Sequence, residues 1–315
     1  MNPKVLILSG IYDFSCDLVC LRLKEFGAPF VRLNREHLQD YAISLNPTKP
    51  ILSINGPGIQ AEIGPELISV WFRQPIFLRN TPSQPLSPDK QLERSQWTAF
   101  MRALSVFDKA AWMNFPKATY LAESKPYQLL TAERCGFKVP QTIIGNSLDA
   151  IKSEFKDTAV IKSLDTVLIK EGKDCLFTYT TLSDLTELSN QNLSSAPLLA
   201  QKALSPKVDL RVTIVGNKLF AVKILSQNKG IEGDWRILPK DKLEYVDFQL
   251  EPETEKSVFK LTESLGLSYA AIDLVETPDG TYFIEVNPTG EWGWLSSKER
   301  QIDLAIASWL IEPVP

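Results

Sequence analysis

Tyr269–Trp294 reads YAAIDLVETPDGTYFIEVNPTGEWGW. Two runs with strand-like alternation flank Pro278-Asp279-Gly280, which fits a three-residue hairpin loop: a type I turn closed by Gly in the left-handed region. That loop sets Thr277 opposite Thr281 and, further along the ladder, Asp273 directly opposite Glu285. Period-two alternation puts Phe283, Glu285 and Asn287 on the same face as Asp273, with Ile284 and Val286 on the other. Two facing carboxylates repel each other unless positive charge lies between them. A hard divalent cation is the usual resolution, with Asn287 as a neutral third oxygen ligand. The plainer alternative is a surface hairpin with solvated acids. The apolar neighbours Ala270, Ala271, Ile272, Leu274 and Phe283 argue against full exposure. A four-residue loop would turn Asp273 away and remove the argument.

An oxygen-only site of this kind normally holds Mg²⁺ shared with a substrate phosphate, which asks for cations elsewhere. Lys162, in the apolar strand AVIKSL, is the first candidate; a snorkelling surface lysine is the alternative. Lys170 and Lys173 flank Gly172 in a tight turn able to cover a phosphate, and no Walker P-loop is present. LLAQKAL (Leu198–Leu204) reads as a strand passing into coil, suited to offering backbone N–H and C=O groups to an adenine edge, or equally to a core strand. In DLRVTIVG, alternation puts Asp209 and Arg211 on one face. They form either a simple ion pair or a guanidinium beside a reacting phosphate.

Outward from these segments, VLILS reads as a buried strand. A helix capped by Asp13 or Ser15 follows, with an apolar stripe of Leu18, Val19, Leu21, Leu23 and Phe26, and FVRL returns as a strand. Short strands are expected at ILSI, AEI and SVWFR, and a Trp- and Phe-containing helix from about Gln91 to Asp108. A first boundary falls near Asn114–Ser124. Then come a helix over Lys125–Gly136, strands at AVIKSL, VLIK and LFTYTT, a helix over Ser183–Leu188 and a strand at APLLAQKAL. The hairpin DLRVTIV-GN-KLFAVKIL turns at Gly216-Asn217. A helix over Glu253–Leu265, the metal hairpin and a last helix close the chain.

The inventory removes several chemistries. Lys and Arg number 34 against 38 Asp and Glu, a net charge of −4, so no general basic field recommends itself for nucleic acid. No apolar run approaches a membrane span. One histidine, His37, cannot build a His-rich metal cage. The four cysteines include no C-x-x-C pair, and Cys16 and Cys20 read as helix-borne thiols of a reducing cytoplasm. A soluble cytoplasmic protein is expected, whose chemistry comes from carboxylates, Lys, Arg and backbone.

The order of lysine strand, hinge strand, DLRV hairpin and D…E-x-N resembles the ATP-grasp fold. More narrowly, ESKPYQLLTAERCGFKVPQT, DLRVTIVGNKLFAVKILSQ, the DWR of Asp234–Arg236 and EVNPTGEWGWL are similar to the ATP-grasp peptide maturases, the microviridin-type ligases that make graspetides. The likeness runs over about Ser124–Leu295, and reaches the N-terminal third only through VWFRQP (Val70–Pro75). It implies an α/β (α+β) architecture: an N-terminal α/β pre-ATP-grasp domain (1–118), a central lid subdomain (119–202) and a C-terminal metal-binding subdomain (203–315). By position it makes Asp273, Glu285 and Asn287 the Mg²⁺ ligands. Lys162 contacts phosphate, Gln201, Lys202, Ala203 and Leu204 form the adenine hinge, Asp209 meets the ribose, and Arg211 the reacting phosphate end.

Two departures stand out. Many such hinges begin with Glu where this chain has Gln201, and VWFRQP has Gln74 where a second Arg is expected, which leaves the role of Arg73 open. The implied activity is ATP-dependent: side-chain carboxylates of Asp or Glu in a ribosomal precursor peptide with a leader become acyl phosphates, and ester or amide cross-links follow. Ligation of free amino acids or of a protein tail is the alternative within the class, and a non-catalytic nucleotide-binding regulator the alternative outside it. Glu291, Trp292 and Trp294 are expected to extend the active-site edge towards a peptide, the other reading being an aromatic plug in the core. No nucleic-acid or membrane partner is expected, and a homodimer is one option for the assembly.

Overall fold

The computed structural model describes residues 2–73, 86–165, 168–171, 174–177, 180–189 and 193–314. Gln74 and Lys173, and the side chain of Lys170, lie outside the described residues. VLILS forms β1 (Val5–Ser9), buried at every position. Asp13 then caps α1 (Phe14–Glu25), its carboxylate accepting from the Cys16 N–H at 3.2 Å. The buried face of α1 is Ser15, Cys16, Val19 and Leu23, an i, i+3, i+7 stripe from Cys16 with Ser15 beside it. Leu18, Leu21 and Phe26 of the expected stripe are exposed instead, because they fall outside that arc.

The chain returns as β2 (Phe30–Asn34), runs through the antiparallel meander β3 (Ala42–Asn46), β4 (Ile51–Gly56) and β5 (Ile59–Ile63), and crosses to β6 (Ser69–Phe72). Helix α2 (Pro88–Ala103) leads to β7 (Ala111–Met113), completing a parallel sheet in the order β2-β1-β6-β7. Helices α3 (Pro116–Ala122) and α4 (Lys125–Arg134) follow, α4 stopping at Gly136 with φ 99°.

Next come β8 (Thr142–Gly145), α5 (Leu148–Phe155), β9 (Thr158–Lys162), the hairpin β10 (Leu168–Glu171) and β11 (Asp174–Phe177), β12 (Thr181–Asp184) and β13 (Leu198–Gln201). Strands β12-β9-β13-β8 make one antiparallel sheet. No helix forms over Ser183–Leu188. Residues 181–184 pair with β9, and the Asp184 carboxylate accepts the Thr186 N–H at 2.8 Å to start a single 3-10 turn. A short acidic side chain that bonds its own backbone two residues on outcompetes the helix.

The last sheet is antiparallel, in the order β16-β15-β14-β17-β18. It comprises β14 (Val208–Val215), β15 (Lys218–Leu225), β16 (Glu244–Asp247) and, after α6 (Pro252–Ser264), the hairpin β17 (Tyr269–Thr277) and β18 (Gly280–Asn287). Helix α7 (Ile302–Ile311) ends the described elements. Gly216-Asn217 turns β14 into β15 as its sequence requires.

The β17–β18 turn differs from expectation. Thr277 pairs with Gly280, so Pro278 and Asp279 alone make the turn. Continued without interruption, that register would set Asp273 opposite Ile284. A bulge intervenes: Leu274 pairs with Phe283, but the next pair is Asp273 with Glu285. Asp273 and Glu285 therefore do oppose each other. Phe283, in contrast, packs beneath the sheet with Leu274 and Val286, while Ile284 turns to the same side as Asp273. Beyond the bulge, Gln128 of α4 takes the place of a further strand, donating to the Val286 C=O at 2.8 Å and accepting its N–H at 3.0 Å.

The first and last sheets share one core, in which Val5, Ile7, Val19 and Trp71 meet Val222, Ile224, Trp292 and Ile306. Buried Asn114 makes four bonds across this junction, to the backbone of Ser268, Tyr269 and Pro288. Arg22 of α1 meets Asp303 of α7 at 2.6 Å, and Ser296 Oγ donates to the same carboxylate at 2.7 Å. Among the described residues no helix is long and apolar enough to cross a membrane.

Burial alone would raise the Asp303 pKa, but the Ser296 and Arg22 bonds outweigh it and hold the group below its ordinary 3.8. A depressed carboxylate contributes stability that is present above its ordinary value and lost as the pH falls below it. Thermal melts between about pH 5 and pH 3 should therefore show wild type losing more stability than Asp303→Asn. Parallel profiles would remove Asp303 as a source of acid sensitivity.

Candidate active site

A cleft with a cavity volume of about 140 Å³ lies between the β12-β9-β13-β8 sheet and the last sheet. Lys162 and Gln201 line it from one side, Asp209 and Asp273 from the other, and Lys202, Ala203 and Leu204 run through the connection from β13 to β14. All six residues expected to hold a nucleotide thus border one cleft. Gln201 is buried and bonded at both ends, accepting from Lys162 Nζ at 3.0 Å and donating to Thr142 Oγ1 at 2.9 Å. Burial lowers the Lys162 pKa, against the pull of Glu285.

At the end of the cleft lie the opposed carboxylates. Strand β14 pairs with β17 so that Arg211 is directly opposite Asp273, and its Nη1 donates to Asp273 Oδ1 at 2.7 Å. The simple Asp209–Arg211 ion pair does not form, because that register gives Arg211 to Asp273 and leaves Asp209 to Lys207. Arg236 Nη1 reaches Glu285 Oε1 at 3.2 Å, and Lys125 Nζ lies 3.9 Å from Glu285 Oε2. Burial would push Glu285 up, but Arg236, Lys125 and Lys162 together bring it down to about 2. Asp273 goes the other way: burial raises it, and Arg211 does not fully offset that burial and the charge of Glu285.

The donor set fits a hard cation. Asp273 and Glu285 face each other across the ladder. Asn287 Oδ1 accepts from the Thr289 N–H at 3.1 Å and from Thr289 Oγ1 at 3.5 Å, and the residue is exposed. Among the described residues no group of three or more His, Cys, Asp and Glu forms a metal cage. Two carboxylates and an amide suit a cation that takes its remaining oxygens from phosphate and water, as Mg²⁺ does.

Arg236 and Lys125 are site residues that sequence reasoning had assigned no role. Asp234 caps the turn that carries Arg236, accepting both its N–H, at 3.0 Å, and its Nε–H, at 2.9 Å. The Asp-x-Arg spacing signals that local bond, but its target, Glu285, comes from another element. Lys125 opens α4, and nothing in its neighbourhood marks it.

Arg73 is buried and grips the loop after β18. It donates to the backbone carbonyls of Thr289 and Gly290, pairs with Glu291 at 2.6 Å, and lies 3.1 Å from Asp13 Oδ2. Arg211 Nη2 donates to the Glu291 carbonyl at 3.1 Å. Trp292 is wholly buried in the shared core and offers no surface to a peptide, so the aromatic-plug reading is the correct one for it. A fully apolar indole face gains more from the core than from the rim. Trp294 is partly buried, its ring 4.7 Å from Tyr245 and 5.6 Å from Trp235, which borders the cleft.

A family model of the RimK-like ATP-grasp domain matches residues 145–314, more than half of the chain. The chain belongs to the RimK-like ATP-grasp family. Its described elements carry the ATP-grasp fold. A RiPP-associated ATP-grasp ligase from Chryseobacterium gregarium, solved in complex with ADP and a leader and core peptide, superposes with a TM-score of 0.84 at 25% identity, covering 100% of this chain and 98% of that one. Macrocyclase MdnC from Microcystis aeruginosa MRC, bound with precursor peptide MdnA, gives 0.81 at 23% identity over 98% of this chain and 100% of that one. The tetrahydromethanopterin:alpha-L-glutamate ligase of Methanocaldococcus jannaschii is 38% identical over 66 residues, 21% of this chain. The chain thus spans 22% of that curated relative's length.

A Cβ placed on Gly290 would lie 2.5 Å from Ala271 Cβ and 3.0 Å from Arg211 Nη2. Gly290→Ala should therefore destabilise the protein by roughly 1–3 kcal/mol, and Ala271→Gly in the same chain should recover part of the loss in a thermal melt. Additive losses in the double variant would mean that the two sites do not press on each other.

Proposed function

We propose that this chain is an ATP-dependent ligase that activates Asp or Glu side chains of a ribosomally made precursor peptide and joins them to hydroxyl or amine side chains of the same peptide, closing macrocyclic esters or amides. The observation that carries this is the convergence of Arg211, Arg236 and Lys125 on the opposed pair Asp273 and Glu285, at the end of a cleft bordered by the segment Gln201–Leu204. Such an end concentrates charges of both signs, which is what transfer of a phosphoryl group to a carboxylate requires. Likeness over nearly the full length to ligases solved with leader and core peptides favours a peptide acceptor.

The substrate carboxylate attacks the γ-phosphorus of ATP and ADP departs, leaving an acyl phosphate. The nucleophile then attacks the acyl carbon, phosphate leaves, and the peptide has lost one water per bond. Asp273, Glu285 and Asn287 would hold Mg²⁺, which would supply neutralisation of the phosphate oxygens. Backbone groups of Gln201–Leu204 receive the adenine edge, Lys162 the phosphates and Asp209 the ribose. Arg211 serves the reacting phosphate end. No covalent enzyme nucleophile is needed.

Glu285→Gln should lose ADP formation about 100-fold or more with the fold retained, read by a coupled ADP assay beside circular dichroism. Full turnover in this variant and in Asp273→Asn alike would sink the metal assignment. Arg211→Lys should lose turnover more than nucleotide affinity, because a point charge does not replace a planar fork as charge grows in the transition state. Equal losses would make Arg211 a ground-state anchor.

The acceptor is tested by mass spectrometry with ATP, Mg²⁺ and a short Asp/Glu-rich precursor peptide encoded beside this chain. Each bond appears as a loss of ~18 Da, and removing the peptide's N-terminal half should slow the reaction. Consumption of free glutamate at full rate, with no peptide dehydrated, would favour a glutamate ligase instead.

A further inference from the structure

The parallel sheet has a topological switch point that the nucleotide cleft does not use. From β1 the chain crosses by α1 to β2 on one side, and from β2 it returns to β6 on the other side of β1. The carboxyl ends of β1 and β6 therefore flank the point where successive connections leave in opposite directions. Open α/β sheets bind ligands at that point.

Two large aromatic side chains stand open there. Tyr12 and Phe14, just after β1, are 77% and 71% exposed. Their backbone is held from several sides. The Ile11 N–H donates to Glu36 Oε2 at 3.0 Å, Arg32 Nη2 donates to the Gly10 carbonyl at 2.7 Å, and the Asp13 N–H donates to the same carbonyl at 3.2 Å. Exposed rings on a fixed backbone lose little freedom when a partner covers them. The next residue, Ser15, donates from Oγ to Glu291 Oε2 at 2.9 Å, and the Glu291 carbonyl accepts from Arg211. Tyr12 and Phe14 are thus tied to Arg211 through Glu291, whose side chain remains 51% exposed.

We infer that Tyr12, Phe14 and Glu291 form the acceptor subsite, the surface that takes the peptide segment carrying the attacking hydroxyl or ammonium group. This rests on the peptide-ligase reading above. Charge separates the two reacting side chains. Arg211, Arg236 and Lys125 draw the carboxylate that is to be activated, whereas Glu291 shares the single positive charge of Arg73 with Asp13, so this end of the site is net negative and favours a Lys ammonium or a Ser or Thr hydroxyl. The two rings supply apolar contact area for the residues on either side of that nucleophile, as aromatic side chains do at peptide-contact centres.

The test uses the full chain with ATP, Mg²⁺ and the precursor peptide described above. The double variant Tyr12→Ser, Phe14→Ser should raise the peptide KM by about tenfold or more, with ADP affinity unchanged by equilibrium titration. Fluorescence anisotropy of the labelled peptide should show the same loss of affinity. Phe26→Ser, at the far end of α1, should leave the peptide KM as in wild type. Wild-type peptide KM and affinity in the double variant would overturn the subsite while leaving the ligase reading intact, since dehydration would still proceed. An equal KM rise in Phe26→Ser would overturn it as well, by making the effect a general one of α1. Failure of the wild-type chain to dehydrate or bind the peptide would overturn the ligase reading and the subsite together.

Discussion

Two carboxylates, buried Asp273 and partly buried Glu285, face each other across adjacent strands at the end of a cleft. Away from water their repulsion is large, and so is the attraction of any cation brought near them. The protein answers with its own charges. Arg211 comes from the neighbouring strand, Arg236 from a turn capped by Asp234, Lys125 from the start of α4, and Lys162 adds a more distant contribution. Arg236, Lys125 and Lys162 hold Glu285 well below its ordinary range, and Arg211 holds Asp273 in place. They are also the groups that a polyphosphate would meet on entering.

The site is not the property of a single sheet. Arg73, at the end of β6, holds the backbone of residues 289 and 290 and the side chain of Glu291. Ser15 holds the same glutamate from the start of α1. Asn114 stitches the exit of β7 to the entry of β17 and to Pro288. These bonds run from the parallel sheet to the strand that carries Glu285 and the loop that follows it. Losing the first sheet would therefore loosen the loop whose carbonyl orients Arg211, a reason for the two to share one core rather than meet at a wet interface.

Sequence and structure agree most closely where the physics is local. The Asp13 cap, the Gly216-Asn217 hairpin and the arrest of α4 at Gly136 follow from side chains acting on backbone within a few residues. The facing of Asp273 and Glu285 was also legible, though by a route the chain does not take. The turn is one residue shorter than its composition suggests, and the bulge at Ile284 restores the register. No local signal in TYFIEVN announces that bulge. It is fixed by what lies beneath, where Phe283 and Val286 both enter the core with Leu274, and by Gln128, which pairs the edge beyond it. Phe283 was accordingly misplaced by alternation alone.

By itself, then, the amino-acid sequence determined many of the elements (though not β8, α5, β16 or the 3-10 turn after β12), the hairpin that carries two carboxylates, the strands of Lys162 and Gln201 that border the cleft, and the likeness to the ATP-grasp enzymes. Only the tertiary structure decided which charges meet. Arg211 belongs to Asp273 rather than Asp209, Arg236 and Lys125 belong to Glu285, Arg73 belongs to the loop of Thr289–Glu291, and Trp292 belongs to the core. The reason is physical. Periodicity and turn chemistry act over a few residues and are written in neighbouring letters. The pairing of buried charges depends on which distant elements the core brings together, and on the desolvation that makes each unpaired charge too costly to leave alone.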